Sequence, residues 1–293
     1  MIRRLIEGSL ILFSWAAGLL LTLAFLTLVG FLLQKGGTSL GVNLIFGDTA
    51  PLDALLLRQQ VFDGLFPAII GTLLLIAGSM LIAIPLGIAA GIYMAEYCRG
   101  RVKTFFSLLF DILAGVPSII VGLAGLSLTI FLHRSFSAQI STSLLISCLS
   151  LALLVLPYLI RTTQTALESI DPLIRMTAPA LGASRLQNII RVLLPNSISE
   201  IGSGIILATG RCAEDTAVIM LTGAVASAGL PRSIFSQYEA LPFYIYYISS
   251  QYSGPDELRR GFGAAILLIL LCAGLLLTAL WMQRRLKTIL LYR

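Results

Sequence analysis

Six stretches of this chain, 10–33, 65–93, 105–132, 143–160, 198–224 and 262–282, are almost continuously apolar. Runs of about 18 residues or more are long enough, as helices, to cross a hydrocarbon layer about 30 Å thick. Hydrocarbon offers a backbone amide no partner, so each spanning segment must satisfy its own hydrogen bonds. The expected fold class is an all-α membrane protein with six transmembrane helices. Composition agrees: 57% of residues are hydrophobic and 12% charged, with a mean hydropathy of +0.95, against about 25% charged in a soluble domain. In such a chain the net charge of +6 matters less than where the charges sit, and it gives no reason to expect nucleic-acid binding. Cys98, Cys148, Cys212 and Cys272 are scattered, with no CxxC pair and one histidine in the chain. Neither a disulfide frame nor a metal site is expected, and the thiols read as small buried hydrophobes.

The first run follows Arg3 and Arg4, is too long for a signal-peptide core and lacks an A-x-A site, so a membrane anchor is expected. Arg3, Arg4, Arg99, Arg101, Lys103, Arg161, Arg175, Arg185, Arg191, Arg284, Arg285, Lys287 and Arg293 fall at one set of span ends. Lys35, Arg58, Arg134, Arg232, Arg259 and Arg260 fall at the other. That roughly twofold bias places both termini in the cytoplasm. Ala83, Gly87 and Gly91, four apart, predict a close helix contact. Pro117, with Gly115 before it, predicts a kink in the third span, and Pro157 a kink near the inner end of the fourth. The outer segment 225–260 reads either as a contact for an external protein or as a connector. Its Phe243, Tyr244, Tyr246 and Tyr247 suit an interfacial aromatic belt.

Residues 170–195 form the longest polar interruption and carry Arg175, Arg185 and Arg191. Ile174, Ala178 and Leu181 give one helical stripe; Leu186, Ile189, Ile190 and Leu193 give a second. Between them Gly182 can take a positive φ, Ser184 can cap the second helix, and Pro179 ends or bends the first near Ala178. An elbow of two short helices follows, on the cytoplasmic side.

The fifth span holds Arg211, Glu214, Asp215 and Thr216. Arg211 falls near the bilayer midplane, where a charge costs about 2.5–3.5 kcal/mol on insertion scales and needs a partner or a watery path. Asp215 at i+4 and Glu214 at i+3 both reach it. One reading is a self-neutralising pair that pins packing. The other is an anion path: a guanidinium forks onto an oxyanion while a carboxylate accepts a proton, which phosphate can give and sulfate at neutral pH cannot.

Four segments carry a family resemblance. Residues 180–185 with 193–195 resemble the EAA loop of permeases in binding-protein-dependent ABC importers, the element that docks into the ATPase. The family Glu falls on Met176, its alanines on Thr177 and Ala178, and its Gly on Gly182. Residues 115–123, GVPSIIVGL, resemble the GIPSIVxGL motif of the phosphate-importer permeases, and 63–72 resemble the start of their core domain. Residues 211–216, RCAEDT, are similar to the R-I-A-G-E-T segment of PstA-type permeases, with Glu214 where the family has Gly. The resemblance spans roughly 63–285 and implies a type I ABC importer permease fold for phosphate uptake. It implies a substrate path at Arg211, Asp215, Glu214 and Thr216, ATPase coupling through Met176, Ala178, Gly182, Ala183, Arg185, Leu194 and Pro195, and a helix kink at Gly115 and Pro117. Implied partners are a PstC-type permease, a PstB-type ATPase dimer and a PstS-type external phosphate-binding protein. No GxxxxGK[ST] motif occurs, so ATP and Mg are expected on the ATPase and no cofactor on this chain. The expected organisation is 1–62 for an anchor and external segment, 63–286 for the permease core and 287–293 for a basic tail. The rivals are a permease for sulfate, molybdate or phosphonate, an ion-coupled secondary carrier, and a non-transporting scaffold.

Overall fold

The computed structural model describes residues 2–56, 61, 63–136 and 140–291; Arg58 and Arg293 lie outside the described residues. The chain is helical, and among the described residues the only β pairing is an isolated bridge between Ala224 and Tyr238. Helix α1 (Ile2–Gly36) is followed by short helices α2 (Val42–Phe46) and α3 (Pro51–Leu55), then by α4 (Phe66–Ile92), which ends in a π turn, Tyr93–Tyr97. Next come α5 (Gly100–Ala114), α6 (Ser118–Ser135), α7 (Leu144–Glu168), α8 (Pro172–Ala180) and α9 (Arg185–Asn188). A π turn, Ile189–Leu193, joins α9 to α10 (Leu194–Glu214), and α11 (Thr216–Thr222), α12 (Leu241–Gln251) and α13 (Pro255–Leu291) complete the chain. Among the described residues six helices are long and apolar enough to cross a membrane: Glu7–Ser39, Phe66–Tyr97, Ser118–Ser135, Leu144–Glu168, Arg185–Glu214 and Pro255–Arg285.

The centre of the molecule is the parallel pair α4 and α7. Gly78 meets Cys148, Gly87 meets Leu159 and Gly91 meets Thr163, the numbers rising together along both helices. A Cβ on Gly87 would sit 2.6 Å from Leu159 Cβ, and one on Gly91 would sit 2.5 Å from Thr163 Cβ. The predicted Ala83-Gly87-Gly91 face is thus the contact. In lipid no hydrophobic drive pulls helices together, so backbone approach and dispersion have to do it. Leu75, Ile76, Met80, Leu151, Val155 and Leu159 fill the pair's interface.

Two apolar runs that read as single helices are each broken in two. The third run divides at Gly115-Val116-Pro117 into α5 and α6. Pro117 lacks an N–H and disfavours α conformation in the residue before it, and here it takes an extended ψ of 137° as N-cap of α6. The predicted kink is therefore a full stop and restart. The fifth run divides at Asp215, whose ψ of 103° ends α10 and starts α11. The halves pack on each other: a Cβ on Gly122 of α6 would lie 3.0 Å from Ala217 O and 3.1 Å from Val218 Cα in α11.

Three further expectations shift. Pro157 lies in the middle of α7, because that helix runs on to Glu168. Pro179 is tolerated in the last turn of α8, which ends at Ala180 and not at Ala178. The outer segment contains α12, whose Phe243 and Tyr244 pack against buried clusters while Tyr246 stays half exposed. Helix α12 is fastened to α4 by the Leu241 N–H donating to Thr72 Oγ1 at 2.9 Å. Near its end α1 meets the start of α13 through the Phe31–Phe262 ring pair, 5.7 Å between centroids, and the Gly36–Phe262 backbone approach.

Candidate functional site

Both helix breaks open on one cleft of about 570 Å³. Its wall includes Ala114 and Val116 at the first break, Leu154 and Tyr158 from the middle of α7, Arg211 and Glu214 at the end of α10, and Leu276 of α13. Apart from the two ions and the Tyr158 hydroxyl, those side chains are apolar. A charge in that setting acts at low effective dielectric and reaches further than it would in water.

Arg211 lies in the last turn of α10, where a cation complements the carbonyl end of the helix dipole. Its Nη1 lies 3.5 Å from Glu214 Oε1 and its Nη2 3.8 Å from Asp215 Oδ2. Charge-assisted hydrogen bonds run at about 2.7–2.9 Å, so neither acid grips the guanidinium. Its side chain is 53% exposed and that of Glu214 66%, whereas that of Asp215 is 4% exposed. The two acids do different work. Asp215 Oδ1 accepts the Val218 N–H at 3.0 Å and caps α11, a local role that sets the break. Glu214 is the carboxylate that shares the cleft with Arg211. Thr216, half-buried, is the first residue of α11, and neither it nor Asp215 lines the cleft.

Gly115 and Pro117 contribute more than a bend. Because the chain stops and restarts there, α6 begins at the cleft wall, and no side chain caps its first turn. The Ile120 N–H is taken by the Pro117 carbonyl at 3.0 Å, and the helix dipole puts partial positive charge at that end. Val116, just before that end, shares the cleft wall with Arg211. Broken helices whose N-termini point at an anion are a recurring transporter device. A Pro preceded by Gly inside an apolar run was the sequence signal for it.

The elbow folds as two short helices. Asp171 caps α8 by accepting the Leu173 N–H at 2.7 Å, Gly182 turns the chain at φ +80°, and Ala183 follows, half exposed. Ser184 and Gln187 form a reciprocal capping box on α9. Pro179 cannot donate to the Arg175 carbonyl, and the Asn188 side-chain amide does so in its place at 3.0 Å. Of the expected stripes only Ile189 and Leu193 are buried; Ile174, Leu186 and Ile190 are exposed, as is Leu181 at 89%. Met176, at the position of the family Glu, is 62% exposed, and Ala178 is half-buried. Arg185 is turned inward: Nη2 donates to the Glu96 carbonyl and the guanidinium lies 4.5 Å over the Tyr97 ring. Leu194 and Pro195 line a second, apolar cleft of about 360 Å³ between α10 and α13.

Sequence reading missed two polar clusters. Glu96 at the end of α4 holds Arg175. Along α5 and α7, Lys103 pairs with Glu168 at 2.7 Å and Arg161 with Asp111 at 2.5 Å, so Arg161 is a helix-pairing residue and not a loose loop cation. Among the described residues no group of His, Cys, Asp or Glu could hold a metal ion.

Comparison with known proteins agrees with this architecture. The family described as "Binding-protein-dependent transport system inner membrane component" matches residues 87–288. The phosphate transport system permease protein PstA of Haemophilus influenzae is 32% identical over 87% of this chain and 86% of its own length. PstA 1 of Mycobacterium tuberculosis is 32% identical over 76% and 71%. The probable ABC transporter permease protein YqgI of Bacillus subtilis is 30% identical over 73% of each chain. Among solved structures, the bacterial alginate ABC transporter superposes with a TM-score of 0.61 at 20% identity over 92% of this chain and 95% of that one. The inward-facing MetNI methionine transporter gives 0.59 at 17% over 81% and 99%. With six long apolar helices among the described residues, two of them meeting a helix break beside one charged cleft, this chain has the type I importer permease fold and belongs to the binding-protein-dependent transport system inner membrane components.

Proposed function

We propose that this multi-pass inner-membrane protein is the permease subunit of an ATP-driven importer of inorganic phosphate, forming half of its path. The observation that carries the reading is Arg211: half exposed in a cleft whose wall also holds Val116 just before α6, and held only loosely, by Glu214 at 3.5 Å and Asp215 at 3.8 Å. A guanidinium so placed costs several kcal/mol unless something repays it, and a transient oxyanion does. Its fork matches two oxygens of phosphate, and the Glu214 carboxylate accepts a hydrogen bond from the P–O–H of the monobasic ion. The names of the PstA relatives support phosphate among the oxyanions. The complementary subunits are a second permease of PstC type, a PstB-type ATPase dimer that binds ATP and Mg, and an external PstS-type binding protein. The elbow then faces the cytoplasm, and six crossings put both termini on that side.

The test is uptake of radiolabelled phosphate by the reconstituted complex, with sulfate, molybdate and phosphonate as competitors. Unlabelled phosphate should compete, and sulfate, molybdate and phosphonate should not. Equal competition by sulfate would overturn the substrate, and uptake without the ATPase would overturn the class.

A further inference from the structure

Helix α8 has no buried residue of its own. What ties it to the helix bundle is Arg175. One arm of that guanidinium, Nη1, is paired with the carboxylate of Glu96, whose residue is 8% exposed in the π turn that ends α4. The other arm, Nη2, donates to the Leu167 carbonyl at the end of α7 at 2.5 Å. The Arg175 backbone carbonyl takes the Asn188 amide from α9, and the Glu96 carbonyl takes Arg185. Three elements, α4, α7 and α8, therefore meet on one ion pair. A nearly buried pair of this kind is weak evidence for stability, since an apolar contact of the same volume does as well or better. What an ion pair adds is direction, because a planar fork holds two acceptors at fixed angles. Arg175 and Arg185 reach back to the bundle, while Leu173, Met176, Leu181 and Arg191 lie on the elbow's exposed surface.

We infer that Glu96 is a positioning residue that passes displacement of the elbow to the α4–α7 pair. Resting on the importer reading above, the route runs from α8 through Arg175 to Glu96 and Leu167, and along α7 to Leu154 and Tyr158 in the wall of the cleft. An importer with this junction cut hydrolyses ATP without moving its cargo.

The experiment is ATP hydrolysis and radiolabelled phosphate uptake measured together in proteoliposomes holding the two permeases, the ATPase and the binding protein. Glu96→Gln should raise the ratio of ATP hydrolysed to phosphate taken up at least tenfold, with the ATPase still co-purifying. Glu96→Asp, which keeps the charge, should stay within about threefold of the parent. Should Glu96→Gln fail to assemble, Arg175→Gln cuts the same pair from the other side and should give the same rise. A ratio unchanged in the assembled complex, even with both rates lowered, would show a merely structural role and overturn the inference. If the parent complex takes up another oxyanion in place of phosphate, the substrate assignment fails, and the same ratio measured with that anion still decides the role of Glu96.

Discussion

The cleft and the elbow use the same residue type in opposite ways. Arg175 in the elbow is held by Glu96 and Leu167 O, and Arg185 by the Glu96 carbonyl and the Tyr97 ring. Arg211 in the cleft faces two acids at 3.5 and 3.8 Å and stays half exposed. A tightly held guanidinium is a joint, because releasing it leaves a buried carboxylate uncompensated. A loosely held one is available to a ligand, because little has to be broken before it binds. The contrast separates a cation that serves as a joint from one placed in a cleft where a ligand can reach it.

The contrast can be broken most forcefully at Arg211 itself. Arg211→Ala should lower phosphate uptake by about 10- to 150-fold, the value of a hydrogen bond to a charged group at about 1.5–3 kcal/mol, with the complex assembling normally. Uptake within twofold of the parent would make Arg211 a packing residue. Next in size is one of the close glycine contacts in the α4–α7 interface. Gly87→Ala puts a Cβ against Leu159 and should destabilise the detergent-purified subunit by about 1–3 kcal/mol, visible as a lower Tm. No shift in Tm would mean that the helices part easily. The two acids beside Arg211 give a finer division. Asp215→Asn should keep uptake within about threefold, because Asn caps a helix nearly as well as Asp, whereas Asp215→Ala should cost about 1 kcal/mol of stability. If Asp215→Asn abolished uptake while Glu214→Gln left it intact, the roles assigned to the two carboxylates would be exchanged. The smallest effect is expected at Met176. Restoring the family acid with Met176→Glu should change ATPase co-purification less than twofold, since both neighbouring elbow arginines are already paired inside the chain.

The spans were legible because hydropathy answers directly to the solvent: each of the six crossings overlaps an apolar run, although the third and fifth, Ser118–Ser135 and Arg185–Glu214, are offset from the runs 105–132 and 198–224 by ten residues or more at one end or both. The breaks inside those two runs were not legible, because a half-helix in hydrocarbon is as apolar as a whole one. The clues were local and chemical, a Gly-Val-Pro at 115–117 and an Asp followed by Thr at 215–216 that can cap a restart. Arg211 was legible as a charge inside an apolar run, but the expected midplane position does not hold: it lies in the last turn of α10, near the end of the fifth span, Arg185–Glu214, because that span begins earlier than the apolar run. The division of labour between Glu214 and Asp215 was not, because an unbroken helix would have brought Asp215 to the Arg face, and the break turns it into a cap. Glu96 was beyond sequence reading, since its partners lie 79 and 89 residues away. Gly182 and Ser184 worked as their chemistry predicts, since a positive φ and a capping box are set by a few neighbouring residues.

The claim that Arg211 faces a watery anion path is tested most directly by chemical access. In a Cys272→Ala background, where the remaining native cysteines Cys98, Cys148 and Cys212 are buried, Arg211→Cys should be inactive. It should react with a water-soluble aminoethyl methanethiosulfonate and regain measurable phosphate uptake once a cation is restored at that position. A thiol that stays unmodified by the aqueous reagent in the assembled complex would put residue 211 in lipid or in a sealed packing contact, and would contradict the account.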